Sequence, residues 1–135
     1  MKKFLTAALM ILIVAVFTGC GEGATFKHIS QDEAKAMMSS NPDAIILDVR
    51  TPEEYEGKHI PGSVLLPLED LRKNAFAKIP DKNATIMIYC WTGRRAQDSA
   101  QLLAEKGYKN VYEFGGLVDW NGEVEGTEVN KTAKP

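Results

Sequence analysis

The chain has 135 residues, 44% of them apolar and 25% charged, with a formal net charge of −2. That length holds one domain of ordinary size, and the composition is globular, neither collagenous nor disordered. The charge balance supplies no basic field, and no basic stripe or nucleic-acid motif occurs, so no nucleic-acid partner is expected.

The N-terminus, "MKKFLTAALMILIVAVFTGC", sets two lysines before an apolar stretch from Phe4 to Phe17, then small residues ending at Cys20. This is the order of an export signal, and the stretch is short for a spanning helix, which needs about 20 residues. "FTGC" resembles the lipobox of bacterial lipoproteins, with Phe17 where leucine is usual. The resemblance implies that residues 1–19 are a signal peptide and that Cys20 is lipidated as the first mature residue. Residues 20–25 then tether the protein to a membrane on its extracytoplasmic side, periplasmic or at the cell surface. A plain secreted form and an uncleaved N-terminal anchor are the alternatives. Loss of residues 1–19 removes Lys2 and Lys3 and brings the charge to −4. Cys90 would then be the one free thiol, in a compartment where cysteines usually pair, which flags it as reactive.

Phe26–Ile29 reads as a short strand. Ser30 followed by Glu33 is a capping box opening a helix over Gln31–Met38, which stops before Asn41-Pro42. Ala44–Val49 is a continuous apolar run broken only by Asp48, as in a parallel strand buried on both faces. Thr51-Pro52 caps and starts a short helix. Pro61-Gly62 predicts a turn, Ser63–Leu66 a strand, Leu68–Ala77 a helix, and Thr85–Tyr89 a buried strand. The helix Ala96–Lys106 is closed by Gly107, and Asn110–Phe114 is the last strand. Gly115-Gly116 predicts a turn leading to a short helical segment at Trp120. From Asn121 the chain is polar, and residues 123–135 are expected to be a disordered tail. Alternating strands and helices predict an α/β domain with a mainly parallel central sheet flanked by helices on both faces.

"YCWTGRRA", residues 89–96, places Cys90 on a tight strand-to-helix turn. Ligands of open α/β sheets bind beyond the carboxyl ends of the strands, and a helix N-terminus there offers N–H groups and a positive dipole end. Gly93 permits the φ values that converging N–H groups need. Arg95 would lie across the bowl from the sulfur, its planar fork suited to a multi-oxygen anion, and Arg94 would add field at the rim. A buried, inert cysteine is the competing reading of the same placement, and on composition and placement alone both stand.

"LDVRTPEEYEGKHIPGS" (residues 47–63) and "YCWTGRRAQDSAQLLAEKGYKNVYEFGGLVDW" (residues 89–120) together resemble the rhodanese family of sulfurtransferases. The resemblance covers residues 26–122 and implies a rhodanese-like fold. It implies an enzyme of the thiosulfate sulfurtransferase type, in which Cys90 accepts a sulfane sulfur from a donor such as thiosulfate. The persulfide passes it to cyanide or a thiol. The N–H groups of Trp91, Thr92, Gly93, Arg94, Arg95 and Ala96 become the anion cradle, with Arg95 stabilising substrate and persulfide. Trp91 and Thr92 shape access, and Ala96 stands where serine is frequent. Asp48 and Arg50 are candidates for loop support, with Arg50 expected to pair with Glu54. His59 is expected to pack rather than catalyse, and Lys58 stands where glycine is more usual. Neither a cofactor nor a metal is implied, and His28 has no companion ligand. The expected partners are a small-molecule donor, a thiol or cyanide acceptor, and a reducing or sulfur-accepting protein.

Two rivals remain at this level. Cysteine phosphatases of the cell-cycle type use a related loop with five residues between cysteine and arginine, whereas Cys90 and Arg95 are separated by four. One residue of contour is about 3.3–3.6 Å, so the shorter loop favours sulfur over a tetrahedral phosphate. A small-oxyanion reductase would need a resolving cysteine. A non-catalytic rhodanese-like binding module is the rival of another class, although such modules commonly lose the cysteine or the loop glycine.

Overall fold

The computed structural model describes residues 23–132; the expected signal peptide and the lipidation call on Cys20 lie outside them. In chain order come β1 (Lys27–His28), α1 (Gln31–Ser40), β2 (Ile45–Asp48), α2 (Pro52–Gly57) and β3 (Val64–Leu65). They are followed by α3 (Leu68–Lys78), β4 (Thr85–Cys90), α4 (Arg94–Glu105), β5 (Asn110–Gly116), a 3-10 turn (Leu117–Asp119) and α5 (Thr127–Thr132). The strands form one sheet in the order β1-β5-β4-β2-β3, and every pairing in it is parallel.

Burial on both faces explains the unbroken apolar runs. Along β4, Ile86, Ile88 and Cys90 join a cluster with Leu71 and Ala75 of α3 and Ala96, Ala100 and Leu103 of α4. Met87 and Tyr89 point to the opposite face, against Ala34 of α1, Ile60, Phe114 and Leu117. Side chains alternate across a strand, so a strand covered on both sides is apolar at every position. The same alternation puts the Cys90 side chain on the α4 face.

Helix starts follow the local signals. Ser30 and Thr51 each accept an N–H from the glutamate three residues on, and each glutamate accepts the cap's own N–H. Helix α3 kinks at Asn74, whose backbone is non-helical.

Two expectations are corrected. Gly115-Gly116 is not a turn: β5 runs through it, with a register shift between Ile88 and Cys90 of β4 that leaves one extra residue in β5. The tail expected to be disordered is instead folded back over residues 123–132. His59 and Glu125 exchange backbone hydrogen bonds at 2.8 and 2.9 Å, and Thr127 Oγ1 donates to the Glu56 carbonyl at 3.3 Å. The contact is close because of two glycines: a Cβ on Gly126 would fall 2.4 Å from the Gly57 carbonyl oxygen. Polar composition concealed this docking, which combines backbone pairing at Glu125 with the packing of one apolar residue, Val124, against the core.

Candidate active site

Cys90 ends β4, is 1% exposed, and is the free cysteine among the described residues. Its sulfur accepts the Gly93 N–H at 3.0 Å. Gly93 takes φ +104°, a left-handed value, and there the chain turns into α4. Unlike α1 and α2, α4 has no side-chain cap and no acidic residue in its first turn; Arg94 and Arg95 stand there instead. A helix N-terminus normally draws a carboxylate or hydroxyl to its orphan N–H groups. This one is left open, with cations beside it and the sulfur in front of it, which suits an anion supplied from outside.

The loop rests on the end of β5. Cys90 is in register with Gly116, and a Cβ on Gly116 would lie 1.9 Å from the Trp91 carbonyl oxygen. That oxygen also accepts the Val118 N–H at 3.1 Å. From the other face, Gln31 Nε2 donates to the Gly116 carbonyl at 3.0 Å. The pair expected to be a turn is thus the floor of the site.

Arg95 is held differently from the expectation. Its Nη1 and Nη2 donate to Glu54 Oε2 and Oε1 at 2.8 and 2.9 Å, so a protein carboxylate engages the fork. The Glu54 hydrogen bonds push the Arg95 pKa up, and the Cys90 sulfur adds to the effect. The expected Arg50–Glu54 pair is therefore replaced. Arg50, 3% exposed, donates from Nε and Nη2 to Asp48 at 2.7–3.2 Å and from Nη2 to the Lys58 carbonyl at 2.6 Å. Asp48 also accepts the Arg50 N–H. Among the described residues no N–H of 91–96 donates to it; the pair instead braces the segment that carries Glu54. The Asp48–Arg50 pair is local, two residues apart, whereas the Glu54–Arg95 bridge spans 41 residues and follows from parallel register, which no local pattern encodes.

A cavity of about 270 Å³ lies beside the loop, lined by Arg50, Glu54, Lys58, Trp91 and Glu128. Trp91 is partly exposed, and Lys58 Nζ sits 5.5 Å from its ring centroid, a cation–π contact. Lys58 and Glu128 had no predicted role here. Thr92 and Arg94 are exposed and Ala96 is buried under the loop. His59 stacks on Tyr55 with centroids 3.8 Å apart and meets Glu125 through Nε2, outside the cavity lining. Tyr89 lies in the core, its hydroxyl accepting the Ile60 N–H, and burial pushes its pKa up.

The Glu54–Arg95 bridge predicts an acid response. Arg95 chiefly holds the Glu54 pKa down to about 2. A depressed carboxylate stabilises the fold above its unfolded value, about 4.3, and loses that contribution as pH falls toward its folded value. Both side chains are about a third exposed, so screening leaves about 1 kcal/mol. In pH-dependent thermal melts, the stability gap between the parent and Glu54→Gln is expected to close between pH ~4.3 and ~2. A gap unchanged across that window would contradict the pairing.

Residues 30–123 match the rhodanese-like domain family. Over 73 residues the chain is 38% identical to thiosulfate sulfurtransferase PspE of Escherichia coli (strain K12), covering 54% of this chain and 70% of that protein. Over 107 residues it is 33% identical to thiosulfate sulfurtransferase GlpE of Coxiella burnetii (strain RSA 331 / Henzerling II), covering 78% of this chain and 97% of that protein. Among solved structures, an E. coli rhodanese with anions is similar at TM-score 0.57 and 33% identity, covering 62% of this chain and 99% of that one.

Proposed function

The chain belongs to the rhodanese-like domain family, and on that premise we propose that it is a sulfurtransferase. It moves a sulfane sulfur from a donor such as thiosulfate to cyanide or a thiol through a persulfide on Cys90. The observation that carries this reading is the sulfur itself: it accepts the Gly93 N–H at an uncapped helix start, beside an arginine fixed by Glu54.

In the first half-reaction the Cys90 thiolate attacks the outer sulfur of thiosulfate. A new S–S bond forms, the donor's S–S bond breaks, and sulfite leaves with its electron pair. In the second, cyanide attacks the outer persulfide sulfur, thiocyanate leaves, and the Cys90 thiolate returns. A thiolate acceptor leaves instead as its own persulfide. Charge is conserved in each step, and no external oxidant is used. The Gly93 N–H and the α4 terminus stabilise the sulfur anion in both forms, as preorganised donors act without reorganising. Glu54 leaves Arg95 as a fixed positive charge whose fork is already engaged, so it acts as field more than as a clamp. The neighbouring cavity gives the oxyanion end of the donor a place beside Lys58. We further propose that the protein works outside the cytoplasm, tethered through Cys20, on the strength of its N-terminal sequence.

The test is intact mass of the mature chain with Cys20 replaced by serine, incubated with thiosulfate beside the same chain carrying Cys90→Ser. The parent is expected to gain one sulfur atom, cyanide to remove it with release of thiocyanate, and Cys90→Ser to gain none. No sulfur gain by a chain whose thiol is shown to be reduced would point to a binding module.

A further inference from the structure

β5 carries a carboxylate that the proposed chemistry does not use. Glu113 is 1% exposed, in the middle of the sheet, paired with His28 of β1 on one side and Ile88 of β4 on the other. A buried carboxylate is costly unless hydrogen-bonded, and a β-branched apolar residue would suit this position better. Its two oxygens are divided. Oε1 is bonded to His28 Nδ1, whereas Oε2 accepts the Gly115 N–H at 3.0 Å.

Gly115 lies at the β5 irregularity and takes φ +85°. A residue in that conformation interrupts the ladder and leaves its N–H to find another partner. Glu113 supplies that partner from two positions away. Gly115 is in turn what Gly93 rests on: a Cβ at Gly93 would lie 3.1 Å from the Gly115 Cα. Gly93 donates to the Cys90 sulfur. Contacts therefore run without a gap from Glu113 through Gly115 and Gly93 to the sulfur.

We propose that Glu113 is a positioning residue for the Cys90 loop, its Oε2 fixing the Gly115 bulge so that the Gly93 N–H stays aimed at the sulfur. What matters is the reach of the acceptor oxygen, not its charge. The turnover readout rests on the sulfurtransferase reading. The alkylation rate of Cys90 does not, and it reads loop geometry whether or not the chain transfers sulfur.

The experiment compares Glu113→Gln, Glu113→Asp and a core control, Val111→Ala, by thiosulfate kcat and KM and by the iodoacetamide rate at the Cys90 peptide. Glutamine keeps the reach: its amide oxygen accepts the Gly115 N–H and its NH₂ donates to His28 Nδ1. Aspartate keeps the charge but withdraws the oxygen by about 1.5 Å. Expected are kcat and alkylation within about threefold of the parent for Glu113→Gln, and a fall of about tenfold in kcat with KM little changed for Glu113→Asp. The alkylation rate of Glu113→Asp should depart from the parent, and Val111→Ala should keep parental kcat despite its lower melting temperature. Three results would overturn the proposal: the reverse order of the two Glu113 variants, equal rates in both, or slowing no greater than in Val111→Ala at matched melting temperature. Should Glu113→Asp not fold, amide exchange in the parent decides. Gly115 and Gly93 amides protected at a common rate support the proposal, and exchange as fast as exposed amides overturns it.

Discussion

Gly116→Ala is expected to lower sulfur-transfer turnover about a hundredfold, together with the melting temperature. Conformation is not the obstacle, because Gly116 is extended at φ −151° and ψ 167°, which any residue adopts. Space is. The new Cβ would lie 1.9 Å from the Trp91 carbonyl oxygen, 2.3 Å from its carbon and 2.7 Å from the Thr92 nitrogen. These are backbone atoms of the loop itself, so relief requires moving the loop by more than 1 Å. A 1 Å displacement of catalytic geometry can cost about a hundredfold, and overpacking a tight contact about 1–3 kcal/mol. Gly115→Ala is the comparison. It meets nothing within 4 Å but carries φ +85°, so it pays backbone strain without a clash against the loop. Steady-state turnover and thermal melts of the two variants separate the effects. Parental turnover in Gly116→Ala would show that the loop does not depend on β5.

Arg95→Met is expected to lower turnover by about a hundredfold, through loss of a preorganised positive charge beside the sulfur. Two losses combine. The cation beside the sulfur disappears, and the Glu54 carboxylate, freed from its fork, becomes an uncompensated negative charge near the proposed anion site. The double variant Glu54→Gln with Arg95→Met separates them. If repulsion by Glu54 carries part of the damage, the double variant recovers some of the turnover lost in Arg95→Met, a coupling that a double-mutant cycle measures. Arg95→Lys should fall between, since an ammonium keeps the charge but cannot hold both Glu54 oxygens. Turnover within threefold of the parent in Arg95→Met would show that the sulfur anion is stabilised without this arginine.

The sequence by itself determined the class of fold, the place of Cys90 at a strand end and the shape of the turn that follows it. Those features are local: an apolar run buried on both faces, a glycine three residues beyond Cys90, and cations where a helix begins. Ser30-Glu33 and Thr51-Glu54 likewise close capping boxes within one turn, so their helices start where predicted. The tertiary structure alone decided which charges meet. Glu54 reads locally as a cap, and its partner Arg95 lies 41 residues away, brought to it by the β2–β4 register. Gly115-Gly116 reads as a turn, because consecutive glycines usually mark one. They lie instead in a strand, where the loop needs the space a Gly116 side chain would fill and the β5 irregularity puts Gly115 at φ +85°. The tail looked unable to fold for want of an apolar face, yet it docks by backbone bonds to His59 and by Val124 against the core. Local patterns report what neighbours along the chain do to one another. Register and close backbone approach join distant residues, and they exist only once the sheet has formed.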